Sequence, residues 1–253
     1  MQDNSALGRI TALVRDLRVR CSWDRAQTRE TLRPYLVEEV LELDQAIAEG
    51  DADAIRDEAG DLLLHLAWQV VLGEERGEFT ADALAEQTER KMRRRHPHLF
   101  DIGPAASWET LKQRERPRGT LDGLPPTLPS LLMASRLQER AASVGFDWPD
   151  TAGPAGKVRE ELVEVEAELA DGAPAEAVEA EIGDLLFAVV NLARKAGVQP
   201  GAALDRANRK FRSRFAAVEA LAAERGLSLE EAGLDRLDAL WNEVKNTAVH
   251  PKT

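Results

Sequence analysis

The sequence predicts an all-α protein built as two tandem antiparallel helical-bundle modules. Ala, Leu, Glu and Arg dominate the composition, and these residues favour helices. Apolar residues recur at helical spacing, whereas no segment shows the sustained alternation of polar and apolar residues that a half-buried strand requires. Five landmarks also occur in the same order in the two halves of the chain, which indicates an internal duplication.

The first module is predicted to begin with an amphipathic segment over residues 7–19, which leads to Trp23 and Asp24. A glutamate-rich helix follows over residues 31–49, and the pair Gly50-Asp51 forms the turn that ends it. The next helix carries two more acids and continues into an apolar run. The remaining landmarks of this module are Glu58, Asp61, Lys91, Arg95, Trp108 and Lys112.

The second module repeats this order. An amphipathic segment over residues 131–144 precedes Asp147 and Trp148, and a second glutamate-rich helix is predicted over residues 157–170. A turn over residues 171–174 leads to the later landmarks, which are Glu181, Asp184, Lys210, Arg214, Trp241 and Lys245.

The offset between the two halves is nearly constant. It is 122 residues from Glu39 to Glu161 and 123 residues from Asp61 to Asp184. From Lys91 to Lys210 it is 119 residues. A small drift of this kind is what a diverged duplication leaves in its loops.

A stretch rich in proline and glycine, without helical periodicity, separates the modules. We therefore predict a first module over residues 1–116, a linker over residues 117–129 and a second module over residues 130–253. Modules of this size bury a limited core, so we expect modules or chains to pair.

Composition excludes several classes of protein. The net charge of −12 argues against binding of nucleic-acid polymers through a basic surface. The single cysteine, Cys21, excludes a disulfide framework and fits a reducing cytoplasm. The amino terminus shows no apolar signal region, and the longest apolar stretch, residues 62–72, is too short to span a bilayer. We expect a cytoplasmic protein that does not enter membranes.

The repeated acids predict a site for a divalent cation in each module. In each half, Glu-Glu-x-x-Glu on one helix is followed by Glu-x-x-Asp on the next, and residues three or four apart share a helix face. A short turn makes the two helices antiparallel neighbours, so the two acidic faces converge. Convergent carboxylates repel one another without a cation and are hard oxygen ligands for Mg²⁺ or Mn²⁺. The predicted metal ligands are Glu39, Glu42, Glu58 and Asp61 in the first module and Glu161, Glu164, Glu181 and Asp184 in the second.

A solvated helix face is the usual interpretation of an acidic run, and two observations argue against it here. Asp61 and Asp184 each open an apolar run, where a solvated face is least expected. Gly60 and Gly183 lie mid-helix at the same place in both copies, at a helical cost of roughly 1 kcal/mol each, which suggests close approach of another helix or a ligand. Because Mg²⁺ is usually completed by substrate phosphates, the pattern indicates phosphate chemistry.

Basic and aromatic residues after each acidic pattern are candidates for nucleotide binding. Cations four residues apart share a helix face and can grip a polyphosphate, and an indole can stack on a base while a nearby lysine reaches phosphate. The candidates are Lys91, Arg95 and Trp108 with Lys112 in the first module, and Lys210, Arg214, Trp241 and Lys245 in the second. The alternatives are ordinary basic decoration for the cations and a core or dimer-interface position for the tryptophans.

The histidines give weaker signals. His65 lies within an apolar run and is expected to be a core histidine with its hydrogen bonds satisfied. A carboxylate-bridged di-iron bundle uses Glu-x-x-His, and none of the four histidines has a glutamate three residues before it. The di-iron class is therefore a remote alternative.

These residues resemble the all-α nucleoside triphosphate pyrophosphohydrolases and, among them, the two-domain MazG family. The resemblance covers nearly the whole chain. It rests on the acidic pattern and on further segments, namely Cys21-Ser22-Trp23-Asp24, residues 94–100, Asn191-Leu192-Ala193-Arg194 and Asn208-x-Lys210-Phe211. Proline is more frequent in the family at the position of Ser22.

The resemblance implies Mg²⁺-dependent hydrolysis of nucleoside triphosphates to the monophosphate and pyrophosphate by a homodimer of helical bundles. Carried over to this chain, the second-module acids Glu161, Glu164, Glu181 and Asp184 bind the metal. The implied nucleotide contacts are Lys157, Glu160, Lys210, Arg214 and Trp241.

The leading mechanistic hypothesis is attack of water on the α-phosphorus with pyrophosphate leaving, assisted by metal ions that help generate the nucleophile and neutralise charge on phosphate oxygens. A carboxylate not fully engaged in coordination, Glu38 or Glu160 next to Glu161, is the candidate base. Two alternatives stay open: a house-cleaning hydrolase restricted to deoxy or modified nucleotides, and a non-catalytic nucleotide-sensing dimer. Both modules keep their acids, and the closer resemblance of the second favours it as the active one.

Overall fold

The computed structural model describes residues 5–105, 111 and 119–249, with side chains as far as residue 246. The described residues form ten α-helices and a short 3-10 turn and contain no strand, so the all-α prediction is confirmed for them. The chain divides into two compact units, residues 1–111 and 112–253. The predicted linker begins outside the described residues, and the predicted module boundaries stay predictions.

Five helices and the 3-10 turn make up residues 5–105 of the first unit. Their bounds are α1 Ala6–Arg20, α2 Ser22–Ala26, α3 Arg29–Glu49, α4 Ala52–Glu75, α5 Ala81–Arg95 and the turn Pro97–Leu99. The glutamate-rich helix begins two residues before its predicted start because Thr28 caps it. The Thr28 hydroxyl accepts a hydrogen bond from the Thr31 amide, and the Thr31 hydroxyl accepts one from the Thr28 amide.

The turn between α3 and α4 fixes the helix pair that carries the first acidic pattern. Gly50 ends α3 at a φ of 75°, in the left-handed region that glycine adopts without strain. The next residue, Asp51, caps α4 by accepting hydrogen bonds from the amides of Asp53 and Ala54. A connection this short makes the two helices antiparallel neighbours.

The core of the first unit lies between α1, α3 and α4. Its buried residues are Val14, Leu32, Ala67, Trp68, Val71 and Leu72. Arg18 of α1 lies 5.4 Å from the centre of the Trp68 ring and forms a two-pronged ion pair with Glu75 of α4. These contacts hold α1 against the helix that carries Glu58 and Asp61.

In the second unit, the described residues 119–249 form five helices. Their bounds are α6 Ser130–Ser143, α7 Ala152–Ala170, α8 Ala175–Lys195, α9 Pro200–Glu224 and α10 Leu229–Val249. The second glutamate-rich helix begins five residues before its predicted start. Inside α10 the backbone leaves helical geometry at Gly233, where φ is 73° and ψ is 162°.

Two sets of contacts hold the second unit together. Val218, Ala222 and Leu240 form a buried cluster between α9 and α10. Ahead of α7, Asp147 accepts hydrogen bonds from Arg194 and Lys195 at the end of α8. The Arg194 guanidinium, followed by Lys195, lowers the pKa of Asp147 to about 2. This ion cluster fixes the end of α8.

No helix among the described residues has the combination of length and apolar character that crossing a membrane requires.

Candidate functional site

Three carboxylates from α3 and α4 meet in the first unit. The side chains of Glu39, Glu58 and Asp61 offer oxygen atoms that all lie within 4.8 Å of one another. We call this group the first cluster. The fourth predicted ligand, Glu42, lies beside Glu39 and not within this group. The acids that the sequence placed on two helix faces therefore converge, with three of the four at the centre.

The first cluster is electrostatically unfavourable without a cation. Burial raises the pKa of Glu39, and the carboxylates of Asp61, Glu42 and Glu58 raise it further. Burial also raises the pKa of Glu58, with Glu42 and Asp61 adding to the shift. Bringing like charges together favours their protonated forms, and a divalent cation would relieve this repulsion.

Three carboxylates from α7 and α8 meet in the same way in the second unit. The side chains of Glu161, Glu181 and Asp184 offer oxygen atoms within 4.8 Å of one another, and we call them the second cluster. Glu161 is the most buried member, with 4% of its surface exposed. Glu164 lies beside Glu161, and burial followed by the proximity of Glu161 raises the pKa of Glu164.

A lysine accompanies the second cluster. The Lys157 ammonium lies one turn before Glu161 on α7, 2.5 Å from Glu161 Oε1 and 2.8 Å from Glu160 Oε1. These two carboxylates hold the pKa of Lys157 well above its ordinary value. Lys157, which the family resemblance placed at the nucleotide, is thus paired with a predicted metal ligand in this structure.

His65 lies against the first cluster on α4. It is buried, as predicted, but the prediction that its hydrogen bonds are satisfied is wrong. Its Nδ1 atom is buried and has no hydrogen-bond partner among the described residues. Its Nε2 atom lies 4.0 Å from Glu39 Oε1. Burial lowers the pKa of His65, and the nearby Asp61 carboxylate partly opposes this shift.

The two candidate bases are accessible to solvent. Glu38 on α3 and Glu160 on α7 are both exposed, each one residue before a buried or half-buried cluster member. Glu160 accepts a hydrogen bond from Lys157. Neither belongs to the group of oxygens that meets at its cluster.

The basic and aromatic candidates of the second unit come together on α9 and α10. The Arg214 guanidinium lies 6.0 Å from the centre of the Trp241 ring. The Phe211 ring lies 5.3 Å from that of Trp241, and 59% of Phe211 is exposed. Lys210 and Lys245 are exposed on the same two helices. The sequence analysis named Phe211 only within the family-like segment and gave it no role, although its position one residue after Lys210 places it on the same helix as the predicted phosphate contacts.

The corresponding candidates of the first unit are only partly described. Lys91 and Arg95 are half-buried near the end of α5, whose residues 82–90 are all exposed. Trp108 and Lys112 lie outside the described residues.

The glycines at the start of the apolar runs have open surroundings. A Cβ atom at Gly60 or Gly183 would meet no atom within 4 Å. Within the described part of the chain, no other helix therefore makes the close approach that these glycines suggested.

Comparison with known proteins identifies the family. Residues 27–100, which include the whole first cluster, match the MazG nucleotide pyrophosphohydrolase domain. The nucleoside triphosphate pyrophosphohydrolase/pyrophosphatase MazG of Thermotoga maritima is 42% identical over 231 residues, which cover 89% of each chain. The chain belongs to the MazG family. Membership identifies it as an enzyme of the nucleotide pyrophosphohydrolase class.

Other relatives extend the MazG similarity along the chain. The nucleoside triphosphate pyrophosphohydrolase of Escherichia coli K12 is 39% identical over 248 residues, which cover 93% of this chain and 94% of that protein. The uncharacterized protein YabN of Bacillus subtilis is 40% identical over 248 residues, which cover 93% of this chain and 51% of YabN.

The donor set of both clusters fits a divalent metal. All the converging atoms are carboxylate oxygens, the ligands that Mg²⁺ and Mn²⁺ prefer. The acidic clusters of this MazG-family chain can therefore hold a metal ion.

Proposed function

We propose that this protein is a Mg²⁺-dependent nucleoside triphosphate pyrophosphohydrolase that converts ribo- and deoxyribonucleoside triphosphates to the monophosphate and pyrophosphate. The observation that carries the proposal is the pair of three-carboxylate clusters in a chain of the MazG family. The relatives in Thermotoga maritima and Escherichia coli bear the name of this activity.

The metal site is proposed at the carboxylate clusters. In the second unit Glu161, Glu181 and Asp184 would hold Mg²⁺, with Glu164 as the adjacent fourth ligand. In the first unit Glu39, Glu58 and Asp61, with Glu42 beside them, are the corresponding ligands. Bound Mg²⁺ would neutralise charge on the phosphate oxygens and make water a better nucleophile. Mn²⁺ prefers the same ligands.

The nucleotide is proposed to bind next to the second cluster. Lys157, Lys210 and Arg214 would contact the phosphates, with Lys245 on the neighbouring helix. Trp241 would stack on the base or ribose, and its contact with Arg214 holds the guanidinium and the indole on one surface. Lys91, Arg95 and Trp108 are the proposed counterparts in the first unit.

The base is proposed to be Glu160. It is exposed, it does not belong to the converging oxygens, and Lys157 holds it by a hydrogen bond of 2.8 Å. A carboxylate in that position can accept a proton from the water that attacks the α-phosphorus. Glu38 occupies the same position in the first unit, one residue before Glu39.

A homodimer is proposed from the apolar surface of the helix pairs. Large apolar side chains are exposed on both helices of each pair, and such surfaces mark protein–protein contacts. They include Val40, Leu41 and Leu66 in the first unit and Val163, Leu169 and Leu186 in the second. A cytoplasmic location stays a prediction.

Product analysis tests the proposed reaction. Purified protein is incubated with the common ribo- and deoxyribonucleoside triphosphates and Mg²⁺, with and without chelator, and the products are separated by chromatography. Monophosphate and pyrophosphate that disappear on chelation are expected. Diphosphate with orthophosphate, or turnover that persists without metal, would contradict the proposal.

A further inference from the structure

A buried histidine on α4 faces the first cluster and has no evident structural function. His65 lies one helical turn after Asp61, and 8% of its side chain is exposed. Its Nε2 atom lies 4.0 Å from Glu39 Oε1, across the contact between α3 and α4. His65 is not among the side chains whose atoms converge within 4.8 Å at the cluster, so it is a neighbour of the ligands and not one of them.

The hydrogen-bonding state of His65 restricts what it can do. A neutral imidazole has one N–H donor and one lone pair. The Nδ1 atom has no hydrogen-bond partner among the described residues. Burial of a polar ring with an unused nitrogen is unfavourable, and an interaction at the other nitrogen would offset part of this cost. The Glu39 carboxylate is the acceptor that this nitrogen faces.

The second unit shows that the fold does not require an imidazole at this place. The residue four positions after Asp184 is Ala188, and it is buried like His65. There Lys157 holds Glu161 from the same helix, whereas the position corresponding to Lys157 in the first unit is Tyr35. The two clusters therefore place their central glutamate next to different partners.

We propose that His65 is a positioning residue for the first cluster. Its Nε2 atom lies 4.0 Å from Glu39 Oε1, beyond hydrogen-bond distance in this structure, and its N–H would donate to Glu39 once the cluster holds a cation, which would orient that carboxylate towards Glu58 and Asp61. The proposal rests on the proposed function, in which this cluster holds a divalent cation. Ligating carboxylates are commonly fixed by such donors, and loss of a donor typically weakens metal binding by about 10- to 100-fold.

The test measures Mn²⁺ binding to the full chain by electron paramagnetic resonance of the free ion. All variants are made in a parent protein that carries Glu181→Gln and Asp184→Asn. These substitutions remove two ligands of the second cluster, so the measurement reports Mn²⁺ binding at the first cluster alone. His65→Ala is expected to weaken Mn²⁺ binding by about tenfold or more, while His65→Gln, whose amide supplies an N–H donor, stays within about threefold of the parent.

Two controls separate positioning from packing. In the reciprocal parent, with Glu58→Gln and Asp61→Asn, His65→Ala is expected to leave Mn²⁺ binding at the second cluster unchanged. His65→Met fills the volume without a donor and replaces His65→Ala if the alanine variant is unfolded by circular dichroism. It is expected to bind Mn²⁺ as weakly as the alanine variant should.

The outcomes distinguish the two proposals. Parental Mn²⁺ affinity in His65→Ala or His65→Met, or a His65→Gln variant as weak as either, would overturn the positioning role and leave the metal site standing. Absence of Mn²⁺ binding by the first-cluster parent itself would overturn the metal site of the proposed function and the positioning role with it.

Discussion

The two carboxylate clusters differ in the side chains that surround their negative charge. In the second, the Lys157 ammonium lies 2.5 Å from Glu161 and supplies a cation from within the chain. In the first, Tyr35 occupies the corresponding position, the Nε2 atom of His65 lies 4.0 Å from Glu39 Oε1, and the pKa values of Glu39 and Glu58 are both raised. The same acidic pattern thus has two electrostatic environments. A repeated motif fixes the ligands of a site, whereas the residues around it determine how readily the site accepts a metal ion.

The largest effect should come from removing one ligand from each cluster in turn. Because Asp184 belongs to the cluster at which the nucleotide is proposed to bind, Asp184→Asn is expected to lower kcat by on the order of a hundredfold or more. Asp61→Asn is its matched control and is expected to leave most of the turnover. Steady-state rates with Mg²⁺ provide the comparison, and loss of activity in Asp61→Asn alone would reverse the assignment of the active unit.

The two units also differ in the residue that precedes the acidic helix pair, which is Asp24 in the first unit and Asp147 in the second. Asp147 pairs with Arg194 and Lys195, and its pKa is about 2 instead of 3.8. Asp147→Asn is therefore expected to lower the free energy of unfolding by roughly 1–2 kcal/mol at neutral pH. Because the folded-state pKa is the lower one, this contribution is complete above about pH 4 and is lost as the pH falls towards 2.

Urea unfolding at pH 7 and pH 3 measures this contribution. The matched control is Asp24→Asn, at the corresponding position of the first unit, which is expected to change the unfolding free energy by less than about 0.5 kcal/mol. Equal effects of the two substitutions would show that the Asp147 ion cluster adds nothing specific to the second unit.

Replacing the mid-helix glycines of the two helix pairs should change the free energy of unfolding by a smaller amount. Since a Cβ at Gly60 or Gly183 meets no atom within 4 Å, alanine at either position is expected to stabilise the chain by up to about 1 kcal/mol through helix propensity. Urea unfolding of Gly60→Ala and Gly183→Ala measures the gain. Destabilisation, or dissociation of a dimer, would show that a partner chain approaches the glycine.

The smallest expected effect tests the internal cation directly. Lys157→Met removes the ammonium that pairs with Glu161, so Mn²⁺ should bind the second cluster about two- to fivefold more tightly, as loss of a partly exposed ion pair suggests. The KM for nucleoside triphosphates should rise, since the same lysine is proposed to contact phosphate. Tyr35→Phe is the matched control in the first unit. Weaker Mn²⁺ binding in Lys157→Met would contradict the idea that Lys157 competes with the metal ion for Glu161.

The helix pairs and the convergence of their acids could be predicted from the sequence. Carboxylates three residues apart lie on one face of a helix, and a short turn brings two such faces together. The exact set of side chains at the centre of each site could not be predicted. Spacing along a helix does not specify side-chain rotamers, and these place Glu42 and Glu164 beside the clusters and Lys157 next to Glu161. The prediction that the hydrogen bonds of His65 are satisfied is wrong for a related reason. The burial of His65 follows from the apolar run, but whether its Nδ1 atom finds a partner depends on how α3 packs on α4.

In the proposed reaction, water attacks the α-phosphorus of a nucleoside triphosphate. The site of attack can be determined by hydrolysis in water enriched in the heavy oxygen isotope, followed by mass spectrometry of both products. We expect one heavy oxygen in the nucleoside monophosphate and none in the pyrophosphate. Heavy oxygen in the pyrophosphate instead would mean attack on the β-phosphorus and would contradict the proposed mechanism.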